Sequence, residues 1–205
     1  VIKPKNKSVK RINTIYFFTI LWVLAISIGF FSFYKYEFTS GTPGEISEYW
    51  PLETNIKKLQ TPYQLIMFVH PKCSCTKASI HELADIMNQS KGKLMANILF
   101  IKPSLFDSDW IKSDIWYDSK TIPNVITLVD DEGKEASIFG ATTSGQTFLY
   151  DAEGNLLFHG GITQTRGHVG SNLGSNTVLS FIQQGKCLNH STPFFGCPLF
   201  YKPTP

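Results

Sequence analysis

The chain has 205 residues, 42% hydrophobic and 17% charged, with 19 lysines and arginines against 16 aspartates and glutamates. That balance excludes bulk disorder, and the length suits one ordinary domain with a modest extension. The net charge of +3 is unevenly placed: Lys3, Lys5, Lys7, Lys10 and Arg11 give residues 1–11 a charge of +5 and leave −2 on the remainder. No basic body of the kind that binds nucleic acid is present.

The basic tail, residues 1–11, is followed by 23 uncharged residues from Ile12 to Tyr34. As a helix this stretch is roughly 34 Å long, enough to cross a hydrocarbon core of ~30 Å. Tyr16 at one end and Tyr34 and Tyr36 at the other suit an interfacial belt. A cleaved signal peptide would have a shorter apolar region and a small-x-small site, and Ser32-Phe33-Tyr34 is a poor one. The expectation is an uncleaved single-pass anchor over residues 12–34. The positive flank places the N-terminus in the cytoplasm and the rest of the chain outside.

Residues 35–59, with Gly41, Pro43, Gly44 and Pro51, read as a linker. Beyond it the order is strand, helix, strand, helix, strand, connector, hairpin, helix. Gln64–Val69 is a short apolar run of strand length. Cys75 to Asn88 carries Ile80, Leu83, Ala84 and Met87 on one helical stripe. Leu94–Ile101 is a second strand, Asp107 is a candidate cap for a helix over Trp110, Ile111 and Ile115, and Asn124–Val129 is a third strand. Gln146–Tyr150 and Asn155–His159 flank Asp151-Ala152-Glu153-Gly154, a hairpin signal. Asn176–Gln184 closes as a helix stopped by Gly185. Such alternation implies an α/β fold with a mixed, partly parallel central sheet flanked by helices.

Cys73 and Cys75 stand where the first strand passes into its helix. A helix N-terminus favours an anion, so a thiolate there has a lowered pKa, and Lys72 and Lys77 add positive potential. The thiolate attacks in disulfide exchange, and a neighbouring thiol resolves the mixed disulfide. The bland alternative is an inert buried pair.

The strand, the motif His70-Pro71-Lys72-Cys73-Ser74-Cys75 and the amphipathic helix resemble the active-site unit of the thioredoxin superfamily. The stretch Thr147 to Gly154 is similar to the hairpin of its membrane-anchored TlpA/ResA-like branch. HPKCSCTKAS, ATTSGQTFLYDAEG and GGITQTRGHVGSN together most resemble the small bacterial RedB-like proteins. The resemblance spans residues 60–185 and implies a thioredoxin-like domain outside a bacterial inner membrane. Its partner would be a protein or small-molecule disulfide or thiol, and no cofactor is required. Two features depart from the family pattern: C-x-C replaces C-x-x-C, and Gly145, after Ser144, stands where thioredoxins place a cis-proline. Ser144 and Gly145 are thereby candidate substrate-binding positions, with His70 a weaker candidate beside the thiols.

Residues 160–175 form a glycine-rich loop with Arg166 and His168. In a thioredoxin-like fold it emerges at the thiol end. Arg166 would then stabilise a thiolate, and His168 would shuttle a proton or bind metal. Equally, Arg166 would anchor the loop on carbonyls and His168 would be a satisfied loop histidine. The C-terminal tail, residues 186–205, carries Cys187 and Cys197. A structural Cys187–Cys197 disulfide is the first expectation. The competing one has the aromatic tail fold over the site, with one of its cysteines resolving Cys73 or Cys75.

Three functions follow as expectations. The first is a thiol–disulfide oxidoreductase in which Cys73, as the more exposed thiol preceding the helix, is the nucleophile and Cys75 resolves. The second is a copper chaperone using Cys73, Cys75 and His168, since soft thiolates select Cu(I). The third is a non-catalytic thioredoxin-fold binding module.

Overall fold

The structure, a computed structural model, describes residues 7–200, with side chains described from Asn13 onward. The side chains of the expected basic tail lie outside the described residues. The chain divides into two units, one ending at Thr39 and the other starting at Ser40.

The first unit is a single helix, α1 (Lys7–Phe38). Residues Asn13–Phe38 are long and apolar enough to cross a membrane. The helix is apolar all round rather than along one stripe, with Trp22, Ile28, Phe30 and Phe31 all exposed. The hydroxyls of Thr19 and Ser27 donate to the carbonyls of Ile15 and Val23, so these polar side chains are satisfied within the helix.

In the second unit the elements run β1 (Tyr63–Val69), α2 (Thr76–Gln89), β2 (Leu94–Lys102), α3 (Asp114–Thr121), β3 (Val125–Asp131), α4 (Lys134–Ile138), β4 (Thr147–Asp151), β5 (Leu156–Gly160) and α5 (Leu173–Gln184). The sheet order is β3-β2-β1-β4-β5. β1 and β3 lie parallel to β2, and β4 lies antiparallel to both β1 and β5. This is the thioredoxin-like fold, a mixed sheet flanked by helices.

β1 is central and buried on both faces, which is why its sequence is a continuous apolar run rather than an alternation. Leu65, Met67 and Val69 share a core with Ile80 and Leu83 of α2 and Val178 and Phe181 of α5. Ile66 and Phe68 point the other way, into a core with Ala136, Phe139, Phe148, Tyr150 and Leu199. At the hairpin, the Asp151 carboxylate accepts from the backbone N–H groups of Gly154 and Asn155 and so closes the turn.

Two sequence expectations change. The segment expected as a linker, residues 35–59, is helix through Phe38, and from Gly41 it lies against the domain. Trp50 packs edge-on to Phe139 and Tyr150 at 5.7 and 5.1 Å, Ile56 is buried, and the Asn55 N–H donates to Glu135. On the sheet face away from α2 the only helix among the described residues is the short α4, and this segment, together with Leu199 and Phe200 of the tail, helps cover the rest. The helix expected from Asp107 begins instead at Asp114, with Ser113 extended before it. The Asp107 carboxylate accepts from the Asp109 N–H in a local turn, and Trp110 stacks on Phe106 at 4.0 Å.

Candidate thiol site

The site is built at the C-terminal end of β1. The Cys73 N–H donates to the His70 carbonyl at 3.0 Å, making a tight turn after Pro71. The Cys73, Ser74 and Cys75 carbonyls then accept from Thr76, Lys77 and Ala78, starting α2 with Cys75 at its N-cap. The first turn of the helix therefore opens onto Cys73, where its amides and dipole favour a negative charge.

All four cysteines are free thiols. Cys73 is 1% exposed and Cys75 is half-buried, the reverse of the expected order of exposure. The cover over Cys73 is the C-terminal tail, whose Cys197 backbone N–H lies 3.3 Å from the Cys73 sulfur. Hydrogen bonds from the Cys197 thiol, from Thr76 and from the Cys197 amide pull the Cys73 pKa well below the ordinary thiol value, against the opposing effect of burial. The same proximity raises the Cys197 thiol, chiefly through its bond to Cys73. Of this pair Cys73 carries the charge, because the donors converge on its sulfur. Cys75 is raised by burial and by the Cys73 charge, while Arg166 acts in the opposite direction.

Ser144 is 1% exposed and supports the arrangement from below. Its hydroxyl oxygen accepts from the His70 N–H at 2.8 Å and lies 2.6 Å from the Thr76 hydroxyl. Ser144 thus braces both the turn at His70 and Thr76, the first residue of α2. Gly145 follows at φ +88°, with its N–H on the Phe68 carbonyl at 2.8 Å. A Cβ there would come 2.8 Å from the Ser79 hydroxyl, so this close approach belongs to glycine.

His70 is half-buried against Trp110, and burial lowers its pKa. Lys72 sits over the Trp110 ring at 5.5 Å, and its N–H donates to His70 Nδ1. A cleft of about 240 Å³ opens beside the thiol, lined by Pro71, Lys72, Cys73, Ser74, Lys77 and residues 113–115 at the start of α3.

The glycine-rich loop does reach the thiols. Arg166 hydrogen-bonds the Cys75 sulfur and donates to the Gly196 carbonyl at 2.5 Å. His168 makes hydrogen bonds within its own loop, to the Thr165 hydroxyl and the Arg166 carbonyl at 2.7 and 3.0 Å. The set Cys73, Cys75 and His168 is not assembled: among the described residues no group of three or more His, Cys, Asp or Glu side chains is placed to hold a metal ion.

The expected Cys187–Cys197 disulfide is corrected. Cys187 lies just beyond α5, packed against the core beside Thr177 and Ser180. The tail then crosses to the thiol end. Ser191 bridges His159, the Thr192 hydroxyl donates to the Gly161 carbonyl, and Pro198 bridges Thr143 in antiparallel fashion. These contacts deliver Cys197 to Cys73 rather than to Cys187. Thr76 and Gly196 are the site residues that sequence reasoning missed. Thr76 lies three positions after Cys73, one helical turn on, which was a usable signal. Gly196 had none, since a Cβ there would strike the Ser144 carbonyl and that contact is visible only in three dimensions.

No protein-family model matches the sequence, and no curated protein matches it. Solved structures do. A hypothetical protein from Sinorhizobium meliloti matches at 19% identity and TM-score 0.56, over 78% of this chain and 93% of that one. An uncharacterized conserved protein from Geobacillus kaustophilus matches at 16% identity and TM-score 0.56, over 82% and 95%. The exposed lipoprotein thioredoxin Etrx1 of Streptococcus pneumoniae matches at 16% identity and TM-score 0.46, over 68% and 99%. Other thioredoxin-like matches include a disulfide oxidoreductase homologous to DsbE and SCO1/SenC-type proteins. At these identities the likeness is one of fold alone.

Proposed function

We propose that the protein is a membrane-anchored, extracytoplasmic thiol–disulfide oxidoreductase of the RedB-like kind, with Cys73 as its nucleophile and Cys75 beside it as a second thiol. One observation carries this reading. The Cys73 sulfur sits at the opening of α2 among converging donors that hold it as a thiolate. A thiolate is the attacking species in exchange, and a group held ionised near neutral pH is poised to attack. The cleft between Pro71 and α3 is the route by which a disulfide reaches it. Its rim carries Lys72, Lys77 and Asp114, so both signs of charge are available to a polypeptide or small substrate. Electrons pass directly between sulfurs, and the reaction needs no cofactor.

The anchor is α1, long and apolar enough to span a bilayer. The basic residues that precede it support a thiol domain on the far side of the membrane, by the bias of positive charge toward the cytoplasm. There the surroundings permit disulfides and supply substrates for exchange.

The test is exchange with a small aromatic disulfide, followed spectroscopically in the reduced full-length protein. Cys73→Ser is expected to abolish the reaction. Turnover by that variant at the wild-type rate would refute the assignment.

A further inference from the structure

We infer that Cys197 is the resolving thiol of this site, so that the catalytic disulfide joins Cys73 to the C-terminal tail rather than to Cys75. The inference rests on the exchange reaction proposed above and assigns its second step.

Geometry favours Cys197. Its amide nitrogen is 3.3 Å from the Cys73 sulfur, so its Cα lies within about 4.8 Å of that sulfur. A disulfide requires such an approach. Cys75 is also adjacent, but it stands two positions after Cys73 in a turn already closed by the Thr76 N–H on the Cys73 carbonyl at 3.1 Å. Residues two apart at a helix start do not face each other. A Cys73–Cys75 bond would therefore need that turn opened and the start of α2 disturbed.

The tail is held as a built part of the site. The Ser144 N–H donates to the Cys197 carbonyl at 2.8 Å, and the Leu199 N–H donates to the Thr142 carbonyl at 2.8 Å. Arg166 holds the Gly196 carbonyl, and Phe194, Phe195 and Leu199 are buried. Residues 196–199 thus pair or pack along 142–144, and they bring one thiol to the thiolate. Cys197 does not line the cleft beside Pro71 and α3, so substrate and resolving thiol reach Cys73 from different directions. Exchange at sulfur needs attacking and departing sulfurs on opposite sides, and a resolving thiol outside the substrate cleft is compatible with that requirement.

The steps balance. The Cys73 thiolate attacks a disulfide R–S–S–R′, forming Cys73–S–S–R and releasing R′–S⁻. The Cys197 thiol gives its proton to the released R′–S⁻ and, as a thiolate, attacks the Cys73 sulfur. It forms Cys73–S–S–Cys197 and expels R–S⁻. Two electrons pass from the two cysteines to the substrate, and two external thiols, or one dithiol, return them. The electrostatics follow the same order. Cys197 is held protonated chiefly by its hydrogen bond to Cys73, and the Cys73 charge adds to this. Once Cys73 is in the mixed disulfide its hydrogen bond and its charge no longer raise Cys197; burial still does, and Arg166 still acts in the opposite direction. The resolving thiol therefore ionises more readily after the first step than before it.

The experiment is to treat reduced full-length protein with oxidised glutathione, quench with acid, digest, and map the disulfides by mass spectrometry. The expected product in the wild type is Cys73–Cys197. Cys197→Ser is expected to accumulate a glutathione adduct on Cys73 and to release it at least tenfold more slowly. Gly196→Ala keeps the thiol but lifts the tail from the Ser144 carbonyl, and is expected to slow resolution in the same direction. A Cys73–Cys75 link in the wild type, with Cys197→Ser resolving at the wild-type rate, would overturn the inference while leaving exchange at Cys73 intact. Failure of both the wild type and Cys197→Ser to form any disulfide at Cys73 would instead overturn the exchange reaction itself.

Discussion

The Cys73 thiolate depends on a few donors, and each can be removed alone. Thr76→Val keeps the shape and takes away the hydroxyl that bonds Cys73. A hydrogen bond to a charged group is worth roughly 1.5–3 kcal/mol, and about 1.4 kcal/mol corresponds to one pKa unit. The variant should therefore raise the Cys73 pKa by about one to two units, read as the pH midpoint of thiolate ultraviolet absorbance against a Cys73→Ser background. An unmoved midpoint would show that Thr76 does not tune the thiol. The same ionisation bears on stability. A group whose folded pKa is depressed stabilises the fold fully above its unfolded value and loses that stabilisation as pH falls through the folded value. The wild type should gain stability relative to Cys73→Ser as pH rises from about 5 towards the ordinary thiol value of ~8.5. Cys75 and Cys197, both raised, act in the opposite direction only as that ordinary value is approached. Urea midpoints at a series of pH values measure the difference, and parallel curves would contradict it.

Among the elements, α2 does more than present the thiols. Its buried Glu82 accepts from the Gly170 N–H at 2.6 Å and from the Asn172 side chain at 3.1 Å. Asn172 in turn caps α5 by accepting from the Ser175 N–H. One carboxylate thus ties α2 to the loop that carries Arg166 and to the start of α5. Glu82→Ala removes both of these bonds to a charged acceptor, leaving the Asn172 amide only the Gly170 carbonyl, at a cost of roughly 1.5–3 kcal/mol. Amide exchange in residues 163–172 should quicken more than in β1, and uniform exchange across the two would show that the loop holds itself. Nothing in the sequence marked Glu82, because its partners lie about 90 positions away and a glutamate in a helix usually faces solvent. By contrast β1, the first turn of α2 and the hairpin were legible, since composition, helical spacing and the Asp151 turn are local signals. Asp107 misled for a local reason too: it has the chemistry of a cap but spends it on Asp109. The meeting of Cys197 with Cys73 joins residues 124 apart, and only the long-range course of the tail decides it.

At the scale of the molecule the two units make different demands. The domain from Ser40 onward has its own cores on both sheet faces, and the segment once read as linker helps close one of them. Within α1 none of the side chains of the apolar window is buried. An apolar helix of that length, left in water, exposes more hydrophobic surface than a soluble protein tolerates, whereas a bilayer satisfies it. The full chain should therefore sediment with membranes and resist alkaline carbonate. A chain beginning at Ser40 should stay soluble and unfold at the same temperature as the full chain in detergent. A further cut to Gln60 removes Trp50 and Ile56 from the core beside Phe139, and should lower that temperature by several degrees. If the full chain washes off with carbonate, α1 is not an anchor. If the cut to Gln60 costs nothing, residues 40–59 are the loose tether that their composition first suggested.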